Sequence, residues 1–306
     1  MEQNKLVEDF YQSSQCKICN QNGKSIYSKS YSDEILKSFF IAYYGVSTYE
    51  NFEKKLETIN YELLKCKDCK FVWQKNIPNK NFSIDLYENI IDNEESLNKS
   101  KLKYHNQKSR NNKEIKKIIQ NFNKEKINIL DFGAGWGHWL MSGSSSFYNS
   151  YAFELSINRK NFLISNGIKV LNFENLNTYE NFFHYIRLDQ VLEHLDEPNN
   201  ALKIIKKLGK KNCIFYISVP DGTEIIEKKN INYIKKGPVQ PLEHLNCFSK
   251  HSLKKFLSIH GFRPLNLKEI VLMNIKDFKL DLVSLKSFLK DIKSYFFSTS
   301  INFKIK

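Results

Sequence analysis

The sequence predicts an α/β protein: a mostly parallel sheet with helices on both faces, preceded by a small cysteine-bearing module. Three observations carry that expectation. From residue 126 onward, short apolar runs alternate with helical patterns. The first of these runs ends in a glycine-rich turn, 129-ILDFGAGWGHWL-140. Two C-x-x-C pairs, Cys16/Cys19 and Cys66/Cys69, stand ahead of it. The chain has 306 residues, enough for one large domain and a smaller one, and 41% apolar residues mark it as globular.

Taken in order, residues 1–80 hold both cysteine pairs and an aromatic stretch, Phe71-Val-Trp73. Residues 81–125 are polar with helical period (Leu86, Tyr87, Ile90, Ile91, then Ile115, Ile118, Ile119, Phe122) and read as a helical linker or lid. Five strands are expected at 127–132, 150–155, 168–173, 182–189 and 212–220. Helices are expected from Trp139 onward, over 158–166 and over 200–208. After residue 248 comes an amphipathic helix closed by Gly261, then a last strand in RPLNLKEIVLM. The domain thus spans 126–270, and 271–306 is a basic amphipathic tail. The tail suits a helix packed on its own domain, with peripheral membrane contact as the other reading.

Composition narrows the classes. No run of 18 apolar residues exists, so no membrane span is expected, and the N-terminus lacks a secretory pattern. A cytoplasmic location is the expectation. The net charge is +14, but it comes almost wholly from Lys; Arg occurs only at 110, 159, 187 and 263. Base reading and phosphate clamping lean on Arg. The charge therefore reads as compositional bias, with DNA not expected and RNA disfavoured as partner.

The turn departs from the dinucleotide pattern G-x-G-x-x-G. Here Gly133, Gly135 and Gly137 are spaced by two, and His138 stands where the third glycine belongs. Asp131 ends the strand just before the turn, where a carboxylate repels a pyrophosphate and suits a cation. The pattern asks for a phosphate-free nucleoside carrying positive charge. Glu154 closes the next strand, 23 residues after Asp131, placed to accept ribose hydroxyls.

These residues, Asp131-x-Gly133-x-Gly135-x-Gly137 with Glu154, resemble the cofactor motifs of class I S-adenosylmethionine (SAM)-dependent methyltransferases. The resemblance extends to 189-DQVLEHLDEP-198, Ser218-Val-Pro220 and 243-EHLNCFS-249, in the family's order over about 125–265. It implies a Rossmann-like seven-stranded methyltransferase sheet. It also implies SAM held by Asp131, Gly133, Ala134, Gly135, Gly137, Glu154 and Gln190. Methyltransferases acting on nucleobase amines carry [N/D/S]-P-P-[Y/F] after the fourth strand; this chain reads Asp189-Gln-Val-Leu there, against base amines as substrate.

Paired C-x-x-C motifs in a chain read as cytosolic make a metal pattern; four thiolates, Cys16, Cys19, Cys66 and Cys69, form a closed tetrahedral shell for structural Zn2+. The pairs are joined by an inserted segment, residues 20–65. Cys213 and Cys247 are left over, and Cys213 reads as core filling. This module ahead of a methyltransferase domain is similar to the zinc-containing sugar methyltransferases, which act on nucleotide-linked deoxysugars.

Methyl transfer from a sulfonium needs alignment and exclusion of water, and a hydroxyl or acidified C–H acceptor must also lose a proton. The resemblance assigns that proton to a Glu-His pair, here Glu243 and His244, with His194 after Glu193 as the second candidate. Tyr87 and Trp136 are candidate aromatic neighbours of the sulfonium. The sequence thus points to a SAM-dependent methyltransferase acting on a sugar or sugar-like small molecule, with surface-glycan synthesis as its setting. A zinc-ribbon RNA methyltransferase and a non-catalytic binding module are the alternatives.

Overall fold

The computed structural model describes residues 9–122, 126–143, 146–227, 232–235, 237–275, 289, 293 and 298–305. The chain divides into two compact units. One comprises Met1–Asn93, Leu192–Pro198 and Val219–Phe256; the other comprises Glu94–Val191, Asn199–Ser218 and Leu257–Lys306.

In the first unit, β1 (Phe10–Gln12), β2 (Gly23–Ser30), helices α1 (Glu34–Tyr44) and α2 (Val46–Leu56), β3 (Asn60–Cys66), β4 (Val72–Gln74), β5 (Asn76–Pro78) and α3 (Lys80–Asp85) follow one another. Local chemistry sets their bounds. Asp33 caps α1 by accepting from the Ile35 amide at 2.9 Å, and Asn79 caps α3 through Phe82 N at 2.9 Å. Gly45, at φ 89°, ends α1 and lets α2 start in a new direction. Tyr31, Phe40, Phe52, Tyr61 and Phe82 fill the core. After α3, one π turn (Leu86–Ile90) leads into α4 (Asn93–Asn121), most of which belongs to the second unit.

The second unit is built on β6 (Ile127–Phe132), β7 (Tyr148–Phe153), α5 (Ile157–Ser165), β8 (Lys169–Leu171), β9 (Phe183–Asp189), α6 (Pro198–Leu208) and β10 (Gly209–Ser218). Between this point and the sheet's last strands the chain re-enters the first unit with α7 (Thr223–Glu227) and β11 (Asn246–Cys247). Strand β11 pairs antiparallel with β4, Asn246 opposite Trp73. Asn246 also donates to Leu192 O at 3.0 Å and Leu195 O at 2.6 Å, which ties the 192–198 stretch to the same unit. Helix α8 (Lys250–Ile259) then leads to β12 (Phe262–Pro264), α9 (Leu267–Ile275) and β13 (Ser300–Ile305).

The seven-stranded sheet has the order β12-β13-β10-β9-β6-β7-β8. Strands β6 to β10 are parallel, and β13 runs antiparallel between β10 and β12. The expected Rossmann-like sheet is therefore present. Strand order reverses at β6, which places the ligand crevice beyond the carboxyl ends of β6, β7 and β9. Ile127, Ile129, Tyr148, Leu163, Tyr185 and Ile214 pack its core.

Three local expectations are corrected. The helix expected from Trp139 shrinks to one 3-10 turn, Leu140–Ser142, because the Ser/Gly run beyond it disfavours helix. The last strand expected in RPLNLKEIVLM is only β12; Asn266 and Glu269 exchange side-chain-to-amide bonds at 2.9 Å each, a capping box that starts α9. The tail expected as helix ends in strand β13, where Ile301, Phe303 and Ile305 alternate with Asn302 and Lys304. Tail residues 276–288, 290–292 and 294–297 lie outside the described residues. Among the described residues, no helix is long and apolar enough to cross a membrane.

Candidate functional site

The glycine turn sits at the carboxyl end of β6. Gly133 and Ala134 donate from their amides to Phe153 O at 2.8 and 3.2 Å, pinning the turn to the end of β7. The three glycines do different work. A Cβ on Gly133 would lie 2.7 Å from Val191 Cγ2, and one on Gly137 would lie 2.2 Å from Leu163 Cδ2. Gly135, at φ 56°, has nothing within 4 Å of where its Cβ would be. The outer two let neighbouring side chains pack close; the middle one leaves open space where a side chain would stand.

Glu154 closes on this turn. Its Oε2 accepts from Gly135 N at 2.8 Å, and its Oε1 from Leu155 N at 2.8 Å and Ser156 N at 3.1 Å. Three amides thus hold one carboxylate at the carboxyl end of β7. Gln190, just past β9, adopts φ 59°, donates from its amide to Ser218 O at 2.9 Å and reaches Ser218 Oγ with Nε2 at 3.1 Å. A non-glycine residue in that conformation is strained, a feature common at ligand sites. Trp136 donates to Ser96 Oγ at 3.1 Å and lies under Arg159, 5.8 Å away.

Asp131 differs from the sequence expectation of a bare carboxylate awaiting a cation. It is 1% exposed and lies in register with Arg187 on β9, which donates to both its oxygens at 3.2 and 3.4 Å. Arg187 also binds Asp189. Burial, only partly offset by Arg187, pushes the Asp131 carboxyl up to about 6. Burial alone would weaken the guanidinium's charge, but Asp131, Asp189 and Glu114 hold it protonated. The sequence reading passed over Arg187. Its signal was the alternation Arg187-x-Asp189 on the strand neighbouring Asp131, which becomes legible only once the strand order is known.

A second polar cluster lies in the first unit. Glu193, His194 and His244 bring one ligand-capable atom each within 4.8 Å of one another, close enough to gather about one ion. The His194 and His244 rings meet edge to face at 4.6 Å. Tyr87 Oη and His194 Nδ1 share a hydrogen bond of 3.0 Å, and His244 Nδ1 bonds Gly237 O, which presents its Nε2 as the basic nitrogen. Burial lowers the His244 pKa, so the ring is neutral over a wider pH range. Glu243, 7% exposed, accepts from Tyr44 Oη at 2.6 Å and Gln240 Nε2 at 2.8 Å. The structure thus brings Glu243, His244 and His194 together; Tyr44 and Gln240 are additions that sequence reasoning missed.

The four cysteines converge in the same unit. Their sulfurs lie 3.4 Å (Cys16–Cys69), 3.3 Å (Cys19–Cys66) and 3.8 Å (Cys19–Cys69) apart. Zn–S bonds of about 2.3 Å in a tetrahedron require S···S near 3.8 Å, so the set fits zinc with small adjustments. The two knuckles are twins. In each, the first cysteine's amide donates to the carbonyl five residues on, Gln21 or Phe71, at 2.8 and 2.9 Å. In each, the residue after the second cysteine, Asn20 or Lys70, takes a positive φ, 61° or 62°. Burial pushes the Cys69 thiol up to about 11, so a bound dication is what would ionise it.

Residues 104–267 match the family model described as "Methyltransferase domain". No curated protein matches the chain. Similar solved structures include a SAM-dependent methyltransferase from Aquifex aeolicus, 22% identical over 48% of this chain and 78% of that one, TM-score 0.34. Another, from Archaeoglobus fulgidus, is 14% identical over 74% of this chain and 98% of that one, TM-score 0.38. A third, from Thermotoga maritima, is 19% identical over 47% of this chain and 67% of that one, TM-score 0.37.

Proposed function

The chain belongs to the methyltransferase domain family, and on that premise we propose that it moves the methyl group of SAM to a sugar or sugar-like small molecule, with a structural zinc in its N-terminal unit. In this reading the turn at Gly133, Ala134, Gly135 and Gly137, with Asp131, Glu154 and Gln190, serves the donor. Glu154 would exchange its amide partners in part for ribose hydroxyls, and Asp131 would act through the Arg187 pair beneath the turn.

Proton removal from the acceptor falls to His244, with Glu243 and His194 beside it. The observation that carries this part is the Glu243–His244 pair set among Tyr44, Tyr87, Gln240 and His194 in the unit that also holds the cysteine cluster. The neutral His244 ring, anchored through Nδ1 on Gly237 O, suits a base near neutral pH. Cys16, Cys19, Cys66 and Cys69 would hold zinc without an open position, so the metal would support the fold and take no chemical step.

The test is direct. Purified full-length protein with SAM is offered a panel of nucleotide-linked deoxysugars, and release of S-adenosylhomocysteine is followed alongside the acceptor's gain of a methyl mass. Turnover on a sugar, abolished at least a hundredfold by His244→Gln with SAM affinity intact, is the expected result. Turnover on RNA and on no sugar would replace the acceptor assignment.

A further inference from the structure

The segment between the cysteine pairs, residues 20–65, is longer than bringing two knuckles together requires, and the reading above gives it no task. It folds as β2, α1, α2 and β3, and α1 ends at Tyr44. We propose that Tyr44 is a positioning residue for Glu243, so that the insertion supplies part of the acceptor-side machinery. The proposal deepens the reading of Glu243 and His244 given above and rests on it.

The geometry is specific. Tyr44 Oη and Gln240 Nε2 donate to the same carboxylate oxygen, Glu243 Oε1, at 2.6 and 2.8 Å. One donor would hold that oxygen loosely; two on the same oxygen fix its position and favour the charged form. The phenol is itself held. Its ring stacks on Phe40 with 6.1 Å between centroids, and meets Phe52 and Tyr43 edge-on at 5.6 and 4.8 Å. Gly45 then ends the helix, so the last side chain of α1 is the one delivered to Glu243.

A Phe would fill the same aromatic niche, so the hydroxyl answers to Glu243 and not to packing. Burial, together with the neighbouring Glu243 charge, pushes the Tyr44 phenol well above its ordinary range. It therefore stays a donor throughout the neutral range and takes no proton from an acceptor. Its effect must run through the carboxylate it holds.

The experiment uses full-length protein labelled with 13C at the glutamate carboxyl and, separately, at tyrosine Cζ. The Glu243 resonance is assigned by its loss in Glu243→Gln, and its titration midpoint is compared in wild type and Tyr44→Phe. Loss of a donor to the charged form should raise the midpoint by about one pH unit, with SAM affinity unchanged by calorimetry. On a nucleotide-linked deoxysugar that turns over, kcat should fall about tenfold with KM little changed, and the acidic limb of the kcat profile should move up with the Glu243 midpoint.

An unmoved Glu243 midpoint overturns the proposal, and so does a moved midpoint with unchanged kcat. If Tyr44→Phe does not fold, the wild-type Tyr44 Cζ signal decides: it should follow the Glu243 titration, and no response overturns the link. If no sugar turns over, the acceptor assignment fails, while the titration still decides whether Tyr44 holds Glu243.

Discussion

Substituting alanine at Gly135 and at Gly137 separates a glycine that faces open space from a packing glycine within one turn. Both have positive φ, 56° and 68°, so each alanine carries about 1–2 kcal/mol of left-handed backbone strain. At Gly135 nothing lies within 4 Å of the added Cβ, and the strain is the whole cost. At Gly137 the Cβ would stand 2.2 Å from Leu163 Cδ2 and 3.1 Å from Ile168 Cδ1, both buried. Overpacking of that kind adds about 1–3 kcal/mol, for a total of roughly 2–5 kcal/mol. Urea unfolding followed by tryptophan fluorescence, with Trp136 and Trp139 beside the turn, measures both. SAM affinity by calorimetry should fall at least about tenfold for Gly135→Ala, whose methyl fills that open space. Unchanged SAM affinity in Gly135→Ala would refute the placement of the donor over this turn. A Gly137→Ala protein no less stable than Gly135→Ala would refute the packing argument.

Arg187→Gln should destabilise the second unit by about 3–5 kcal/mol, because it leaves Asp131 buried without its partner. Adding Asp131→Asn should recover part of the loss, read as a coupling energy from urea midpoints; strict additivity would refute the pairing. Asp131 titrates near 6 when folded, above its ordinary 3.8, because burial outweighs Arg187. A raised carboxyl contributes stability that is full below the ordinary range and lost as pH rises through about 6. The difference in stability between wild type and Asp131→Asn should therefore change by roughly 2 kcal/mol between pH 4 and pH 7, at 1.36 kcal/mol per pH unit. A pH-independent difference would count against it. Purified protein should carry one zinc per chain, and stripping it, or Cys66→Ser, should unfold the first unit as read by Trp73, whose ring stacks on Phe71 beside the second knuckle. A second metal equivalent lost with His194→Ala would place an ion at Glu193, His194 and His244, and would displace His244 as a base.

Much of the turn after β6 and of the strands around it was legible because its signals are local. Glycines at fixed spacing, an acid at the end of the next strand and apolar runs of strand length each report a backbone constraint within a few residues. The twin knuckles were legible as two C-x-x-C pairs for the same reason, although Asn20 and Lys70 stand where positive φ would have invited glycine. Helix α9 was misread because apolar residues in RPLNLKEIVLM outweighed the Asn266–Glu269 capping box, a signal that was present in the text. Arg187, Tyr44 and Gln240 carried no signal that could be read before the fold was known. Each acquires meaning from a partner 56, 199 or 3 residues away, and even the last pair needs the Tyr44 hydroxyl to make sense of it.

By itself the sequence determined the five parallel strands β6 to β10, the glycine turn with its closing Glu154, and the two cysteine pairs. These depend on periodicity, backbone permissiveness and ligand spacing, which act between near neighbours. Only the tertiary structure decided that Asp131 is neutralised by Arg187, that the 192–198 and 219–256 segments fold with the N-terminal unit, and that Tyr44 reaches Glu243. The reason is physical. A buried charge or hydroxyl must find its partner wherever packing brings one, and chain distance places no limit on which residue that is.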